Sequence, residues 1–281
     1  MSGGFGERVR AALRSQGPLC VGVDPHAALL ASWGLPATAA GVRELGLRTV
    51  DAAAGRVAFV KPQVSFFERF GSAGFAALEE VLAAARAAGL IVIADAKRGD
   101  IGSTMDDYAR AWLQPGSALE ADALTVSPFL GVGALDGTFA LAHDHGKGVF
   151  VLAATSNPEA AALQRATGRS GATVSADIVA EVSARNAAAA ADDEWGSLGF
   201  VIGATVEWTD AGLDPFAPAA PILAPGFGAQ GASPTDVEGR FGRAAEMVIA
   251  NESRSILAAG PADLAAAIRA RAADYREAVR V

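Results

Sequence analysis

The sequence predicts a single-domain α/β protein with the (β/α)8 TIM barrel fold, and three observations support this. The length of 281 residues is close to the roughly 250 residues typical of one such barrel. Short, unalternating apolar runs recur along the chain, as in strands buried on both faces of a parallel sheet. Ala-rich stretches of helical length separate these runs. We assign residues 1–281 to one domain because no Pro/Ser-rich linker divides the sequence.

The predicted strands are short and rich in aliphatic residues. In chain order they cover residues 19–23, 57–60, 90–94, 123–126, 148–153, 199–202, 221–224 and, for the last and weakest, either 247–249 or 255–257. The stretches between them are amphipathic; in residues 75–88, for example, Leu78, Val81 and Leu82 recur at helical spacing. An open, doubly wound sheet is the main competing topology, but it usually has fewer strand–helix units than this.

Composition and charge exclude several classes of partner. A net charge of −8 and a sequence pI near 5.0 argue against a nucleic-acid surface, which needs clustered Lys and Arg. No apolar run approaches the roughly 18 residues of a membrane span, and no secretory signal pattern is present. The one cysteine, Cys20, cannot form an internal disulfide. We therefore expect a cytoplasmic protein that binds neither nucleic acid nor membranes.

Polar residues follow nearly every predicted strand, where a barrel of this kind carries its active site. The third strand ends in Asp95-Ala96-Lys97, and because side chains alternate along a strand, Asp95 and Lys97 should face the same side. Lys61 ends the neighbouring second strand, so its ammonium group should lie within a few ångströms of Asp95. Asp100 lies beyond the strand, in a loop. A purely structural ion pair is the alternative, but charges on adjacent strands at this end favour a functional site.

A glycine-rich segment, Gly226-Phe227-Gly228-Ala229-Gln230-Gly231, follows the seventh predicted strand. It fits the G-x-G-x-x-G pattern of dinucleotide-binding dehydrogenases, but that motif normally follows the first strand of its unit. In a barrel, glycines at this position let backbone N–H groups surround a phosphate, and Arg254 near the eighth strand can pair with it bidentately. A tight turn without a ligand is the remaining alternative. We predict a phosphate site.

The segment Asp95-Ala96-Lys97-Arg98-Gly99-Asp100-Ile101-Gly102-Ser103-Thr104 resembles the Asp-x-Lys-x-x-Asp-Ile-x-x-Thr signature of orotidine 5′-phosphate decarboxylases. Other stretches resemble that family's strand-end motifs in the right order: Val21-Gly22-Val23-Asp24-Pro25-His26, Phe59-Val60-Lys61-Pro62-Gln63, Thr155-Ser156-Asn157-Pro158, Pro225-Gly226-Phe227-Gly228-Ala229-Gln230-Gly231 and Ser253-Arg254-Ser255-Ile256-Leu257. The resemblance covers residues 20 to 258 and is greatest to the longer bacterial subgroup.

The resemblance implies a lyase that converts orotidine 5′-phosphate to UMP and CO2, the last step of de novo pyrimidine biosynthesis, without metal or organic cofactor. It implies that Lys97 protonates C6 of the pyrimidine as CO2 leaves, while Asp95 faces the substrate carboxylate and Lys61 bridges Asp95 and the ribose. The other implied contacts are Asp24 with the ribose, Ser156 with the pyrimidine amide edge, and Gln230, Gly228 and Arg254 with the phosphate. Asp100 and Thr104 would reach the partner's site in a homodimer.

Two other functions remain open. A Mg²⁺-dependent sugar-phosphate decarboxylase or aldolase shares the Asp-x-Lys-x-x-Asp motif but holds the metal through an acidic residue after the second strand; here that position is Lys61, whose charge would repel a cation. A barrel that binds nucleotide without catalysis is the other, and the intact set of Lys61, Asp95, Lys97 and Asp100 speaks against it. Residues 159–171 form an extra excursion after the fifth strand, and the sequence assigns them no role.

Overall fold

The structure, a computed structural model, describes residues 3–191 and 193–279. Its strands are parallel and pair in chain order, and the last pairs with the first, which closes the barrel. They are β1 (Leu19–Val23), β2 (Phe59–Pro62), β3 (Ile91–Arg98), β4 (Ala123–Val126), β5 (Gly148–Ala154), β6 (Leu198–Ile202), β7 (Ile222–Pro225) and β8 (Val248–Glu252). The predicted (β/α)8 barrel is confirmed. Residues 1, 2, 192, 280 and 281 lie outside the described residues, so the domain bounds 1–281 remain a prediction.

Helices alternate with the strands and pack against the sheet. They are α1 (Phe5–Gln16), α2 (Ala27–Ser32), α3 (Ala39–Ala53), α4 (Ser65–Glu68), α5 (Gly71–Ala87), α6 (Gly102–Leu113), α7 (Asp136–Asp144), α8 (Ala161–Gln164), α9 (Val174–Ala189), α10 (Trp208–Ala211), α11 (Asp236–Phe241), α12 (Arg254–Leu257) and α13 (Gly260–Ala278). Short 3₁₀ helices cover Val132–Leu135, Pro158–Ala160 and Gly242–Met247. Among the described residues, no helix is long and apolar enough to cross a membrane.

The sequence located most strands well because their apolar runs end abruptly at polar residues. The first and fourth strands cover the predicted residues, whereas the third continues to Arg98. The alternative eighth strand at residues 255–257 is wrong, since these residues belong to α12. The true strand β8 ends in Asn251 and Glu252, both buried. A polar strand end of this kind hides the strand from a search for apolar runs.

The strands are buried because one face points into the barrel and the other is covered by helices. Every residue of β1, β2, β4, β6 and β8 is buried. At the amino-terminal end of the barrel, Phe5 of α1 packs edge-on against Phe150, with ring centroids 6.0 Å apart. Gly148, the first residue of β5, leaves room for the Phe5 ring, with which a Cβ atom would collide. Helix α1 thus covers this end, and the carboxyl ends of the strands are left for a site.

Candidate active site

Three predicted charged residues converge at the carboxyl ends of β2 and β3. Lys61 Nζ lies 2.9 Å from Asp95 Oδ2, and Lys97 Nζ lies 2.5 Å from Asp95 Oδ1. Asp24, directly after β1, places its Oδ1 atom 3.9 Å from Lys61 Nζ. One carboxylate therefore bridges two ammonium groups, and a second carboxylate lies at the edge of the cluster.

The two lysines differ in their access to solvent. Lys61 is 3% exposed and Asp95 is 7% exposed, whereas the Lys97 side chain is 45% exposed. Burial on its own would lower the pKa of Lys61, but the Asp95 and Asp24 carboxylates outweigh it and raise that pKa. Burial would likewise raise the pKa of Asp95, but the two lysines outweigh it and lower that pKa. Lys61 and Asp95 thus form a fixed, charged pair, and Lys97 is the accessible cation.

The backbone at Lys97 is not that of a regular strand. Its φ angle is +48°, a left-handed conformation that costs a residue other than glycine on the order of 1 kcal/mol and is common at functional sites. The pairing of β3 with β4 also shifts between Ala94 and Arg98. The predicted contact between Lys97 and Asp95 is present, but simple alternation along a regular strand is not its cause.

Thr125 of β4 holds this backbone turn in place, and the sequence analysis missed it. Its hydroxyl accepts a hydrogen bond from the Lys97 backbone N–H at 2.9 Å and donates one to Asp95 Oδ1 at 3.0 Å. Thr125 is 1% exposed, so water does not compete for these bonds. A signal was available, since Thr125 is the only polar residue in β4.

The lowered pKa of Asp95 predicts how stability depends on pH. Because the folded-state pKa lies below the unfolded value of about 4, Asp95 stabilises the fold fully above that value and loses its contribution as the pH falls below it. Between roughly pH 5 and pH 2, the free energy of unfolding should fall more steeply for the wild type than for Asp95→Asn. Urea titrations over this range would measure both curves, and parallel curves would contradict the assignment.

The predicted phosphate contacts lie at the ends of β7 and β8. Gly228 has a φ of +68°, and a Cβ atom there would lie 2.6 Å from Glu252 Oε1, so only glycine fits. The loop uses some of its own N–H groups: those of Gly228, Gly231 and Ala232 bind carbonyl oxygens within it. In the described part of the chain, the N–H groups of Ala229 and Gln230 have no partner. Because the N–H groups of Gly228 and Gly231 are already bonded, the exposed residues Ala229 and Gln230 supply donors that are open to an anion.

Arg254 lies at the start of α12, is exposed, and lines a cleft with the β7 loop and Arg271 of α13. Arg271 also binds Glu252, which is completely buried; the nearest N–O distance is 3.1 Å. Ser255 Oγ and the Tyr275 hydroxyl donate to the same carboxylate at 2.6 and 3.1 Å. These bonds fix the wall of the cleft. Sequence reasoning missed Glu252, Arg271 and Tyr275.

The remaining predicted residues do not contact the charged cluster. Ser156 is exposed directly after β5. The Gln230 side chain is exposed in the β7 loop. Asp100 accepts the backbone N–H of Ile101 at 2.8 Å, and Thr104 is exposed on the first turn of α6. Within residues 3–191 and 193–279, no three His, Cys, Asp or Glu side chains lie close enough together to hold a metal ion.

Comparisons with known proteins agree with this fold and arrangement. Residues 17–270 match the sequence profile of the orotidine 5′-phosphate decarboxylase / HUMPS family. The chain is 50% identical over 275 residues to the orotidine 5′-phosphate decarboxylase of Corynebacterium efficiens, covering 96% of each chain. It is 51% identical over 279 residues to the enzyme of the same name from Salinispora arenicola, covering 98% of each chain.

A crystal structure of a candidate orotidine 5′-phosphate decarboxylase from Streptomyces avermitilis superposes with a TM-score of 0.93. It is 47% identical in sequence, and the match covers 100% of this chain and 98% of that one. The resemblance inferred from the strand-end motifs is confirmed over nearly the whole sequence. This chain belongs to the orotidine 5′-phosphate decarboxylase / HUMPS family.

Proposed function

We propose that the protein is a decarboxylase that converts orotidine 5′-phosphate to UMP and CO2, the last step of de novo pyrimidine biosynthesis. The observation that carries the proposal is the buried Lys61–Asp95 pair with the accessible Lys97 ammonium beside it. Relatives about 50% identical over nearly the full length bear the name of this enzyme. The family also supports a place in pyrimidine metabolism.

Lys97 is the proton donor in this proposal. The bond between C6 and the carboxylate breaks, its electron pair stays on C6, and neutral CO2 leaves. C6 then takes a proton from the Lys97 ammonium, which regains one from solvent. A fixed ammonium stabilises the carbanion at C6 more than the neutral ring of the substrate, so it lowers the barrier rather than merely tightening binding.

Asp95 adds repulsion that is relieved as the reaction proceeds. A substrate carboxylate about 4 Å from Asp95 would cost on the order of 4 kcal/mol at an effective dielectric constant near 20. Because Lys61 and Lys97 both bind Asp95, this figure is an upper bound. A barrier reduction of ~20 kcal/mol therefore needs carbanion stabilisation, together with binding energy from the distant phosphate.

The phosphate site is assigned to the β7 loop around Gly228 and Gln230, and to Arg254. Replacing Arg254 with alanine should weaken UMP binding by about 100-fold, because a bidentate, charge-assisted pair is lost. Uridine lacks the phosphate and should bind both proteins equally. Titration calorimetry with UMP and uridine measures the difference, and Arg14→Ala at the opposite end of the barrel is the matched control. An equal loss for both ligands would refute a phosphate role for Arg254.

We further propose a homodimer in which Asp100 and Thr104 contribute to the partner's site. Large apolar side chains are exposed beside them: Ile101 is 62% exposed, and Phe129 in the neighbouring β4 loop is 74% exposed. The two loops adjoin, since Ser127 N donates to Arg98 O at 2.8 Å. An apolar patch next to two polar side chains that do not contact the charged cluster is typical of an interface between subunits.

Shared sites predict complementation between two inactive variants. Mixed Lys97→Ala and Asp100→Ala subunits should regain activity, because one of the two sites in each heterodimer contains both native residues. Random exchange would restore about a quarter of the wild-type sites. Steady-state rates before and after exchange, with heterodimers counted by native mass spectrometry, measure the effect. No recovery despite verified heterodimers would rule out the shared site.

The assay for the proposed function follows the ultraviolet absorbance of orotidine 5′-phosphate with purified protein, with and without EDTA. We expect turnover that EDTA leaves unchanged. Turnover abolished by EDTA and restored by Mg²⁺ would instead favour a metal-dependent sugar-phosphate enzyme. Tight UMP binding without any turnover would favour a barrel that only binds nucleotide.

A further inference from the structure

The segment that follows β5, residues 159–171, contacts the end of that strand through the side chain of Gln164. Residues 158–164 form a short 3₁₀ helix and then α8, and α8 ends at Gln164. The Gln164 amide makes two hydrogen bonds to Thr155: its oxygen accepts from the backbone N–H at 2.9 Å, and its nitrogen donates to Oγ1 at 2.9 Å. Thr155 Oγ1 in turn donates to Asn157 Oδ1 at 2.7 Å. The Thr155 N–H, the Thr155 hydroxyl and the Gln164 amide nitrogen therefore each donate to an acceptor within this network.

Ser156 lies between the two residues that this network holds. In the described part of the chain, neither its backbone N–H nor its hydroxyl has a hydrogen-bonding partner. On its other side it packs on Gly203, where a Cβ atom would come within 3.2 Å of the Ser156 nitrogen. The Ser156 peptide is therefore held from both sides while its polar groups stay open to a ligand.

Which of these groups can distinguish one pyrimidine from another follows from their chemistry. A hydroxyl can rotate to donate or accept, whereas a backbone N–H can only donate. Uracil presents a carbonyl oxygen where cytosine presents an amino group. A backbone N–H aimed at this position therefore favours uracil, but only if the peptide cannot turn away.

We propose that Gln164 is a positioning residue for pyrimidine selectivity: by holding Thr155, it fixes the Ser156 N–H so that it faces a ring carbonyl oxygen. This rests on the proposed function and on the contact between Ser156 and the pyrimidine amide edge that the family resemblance implies. It also gives α8, which lies within residues 159–171, a role, since its last residue bonds to Thr155 directly after β5. Gln164 acts on the ligand only through Thr155 and Ser156.

The test compares the affinities of UMP and CMP for Gln164→Leu, which keeps the size of the side chain but removes both hydrogen bonds. The dissociation constant of CMP divided by that of UMP should fall by about tenfold, the discrimination that one hydrogen bond supplies. The change should come mainly from weaker UMP binding. Gln164→Glu can still accept from the Thr155 N–H and should keep most of the selectivity. Leu163→Ala, on the same turn and 50% exposed, is the matched control and should keep the wild-type ratio.

A structural role alone predicts a different pattern. If Gln164 served only to stabilise the fold, Tm would fall in Gln164→Leu and the ratio would stay at the wild-type value, which overturns the proposal. Equal weakening of UMP and CMP overturns it as well. The proposed function is tested separately with the wild-type protein. If the wild type neither binds UMP nor consumes orotidine 5′-phosphate, the proposed function itself is wrong.

Discussion

Replacing Lys97 with alanine is expected to lower kcat by at least about 10⁴-fold, because the proton donor and the positive charge that stabilises the carbanion are lost together. The protein should remain folded. The Lys97 side chain is 45% exposed, and Asp95 keeps its bonds to Lys61 and Thr125. Alanine at a φ of +48° is also no more strained than lysine.

The Lys97 variant should still bind UMP, and this separates catalysis from folding. An interaction made mainly in the transition state lowers kcat with little effect on ligand affinity. Absorbance assays give kcat, and calorimetry gives the UMP dissociation constant. Lys97→Met, which keeps the length of the side chain without its charge, should be as inactive as Lys97→Ala. A variant that retains a tenth of the wild-type kcat would remove Lys97 from the mechanism.

Replacing Asp95 with alanine is expected to damage both activity and stability. Lys61 would be left as a buried cation whose main partner is gone, and breaking a buried pair in this way costs roughly 3 to 5 kcal/mol. For a chain of this length, that lowers Tm by roughly 10 °C. The kcat should fall at least about 10³-fold, because Lys97 also loses the carboxylate that holds it.

Asp95→Asn is the control for Asp95→Ala, since it keeps the shape of the side chain and one hydrogen-bond acceptor for the lysines. Calorimetric scans should rank Tm as wild type, then Asp95→Asn, then Asp95→Ala. Lys97→Ala should unfold near the wild-type temperature because its side chain is half exposed. An Asp95→Ala protein as stable as the wild type would show that the Lys61–Asp95 pair is not an essential part of the fold.

Local patterns in the sequence were enough to identify the barrel and the charged cluster. Strands 19–23 and 123–126 end at polar residues, so their bounds are visible in the sequence. Asp95 and Lys97 are two positions apart, and Lys61 ends the preceding strand. The parallel order of the strands then places all three at one edge. Pattern and topology predicted that the three residues meet, but not the left-handed backbone at Lys97 where the contact with Asp95 forms.

What escaped prediction depends on contacts between distant parts of the chain. Thr125 is 30 residues from Asp95, and Tyr275 is 23 residues from Glu252. The left-handed backbone at Lys97 is bonded to Thr125, which lies 28 residues further along the chain, and the sequence next to Lys97 does not predict it. Gln164 escaped prediction for a different reason: it is only nine residues from Thr155, but its contact depends on how the chain folds back through α8. The end of β8 was not predicted because Glu252 is charged. Its burial depends on Arg271 and Tyr275 of α13, which follow later in the chain.

The most direct test of the account is a crystal structure with UMP bound. The account predicts C6 of the pyrimidine within about 3.5 Å of Lys97 Nζ, with the phosphate between the β7 loop and Arg254. A pyrimidine ring bound away from Lys97, with the Lys61–Asp95–Lys97 cluster facing empty space, would contradict it.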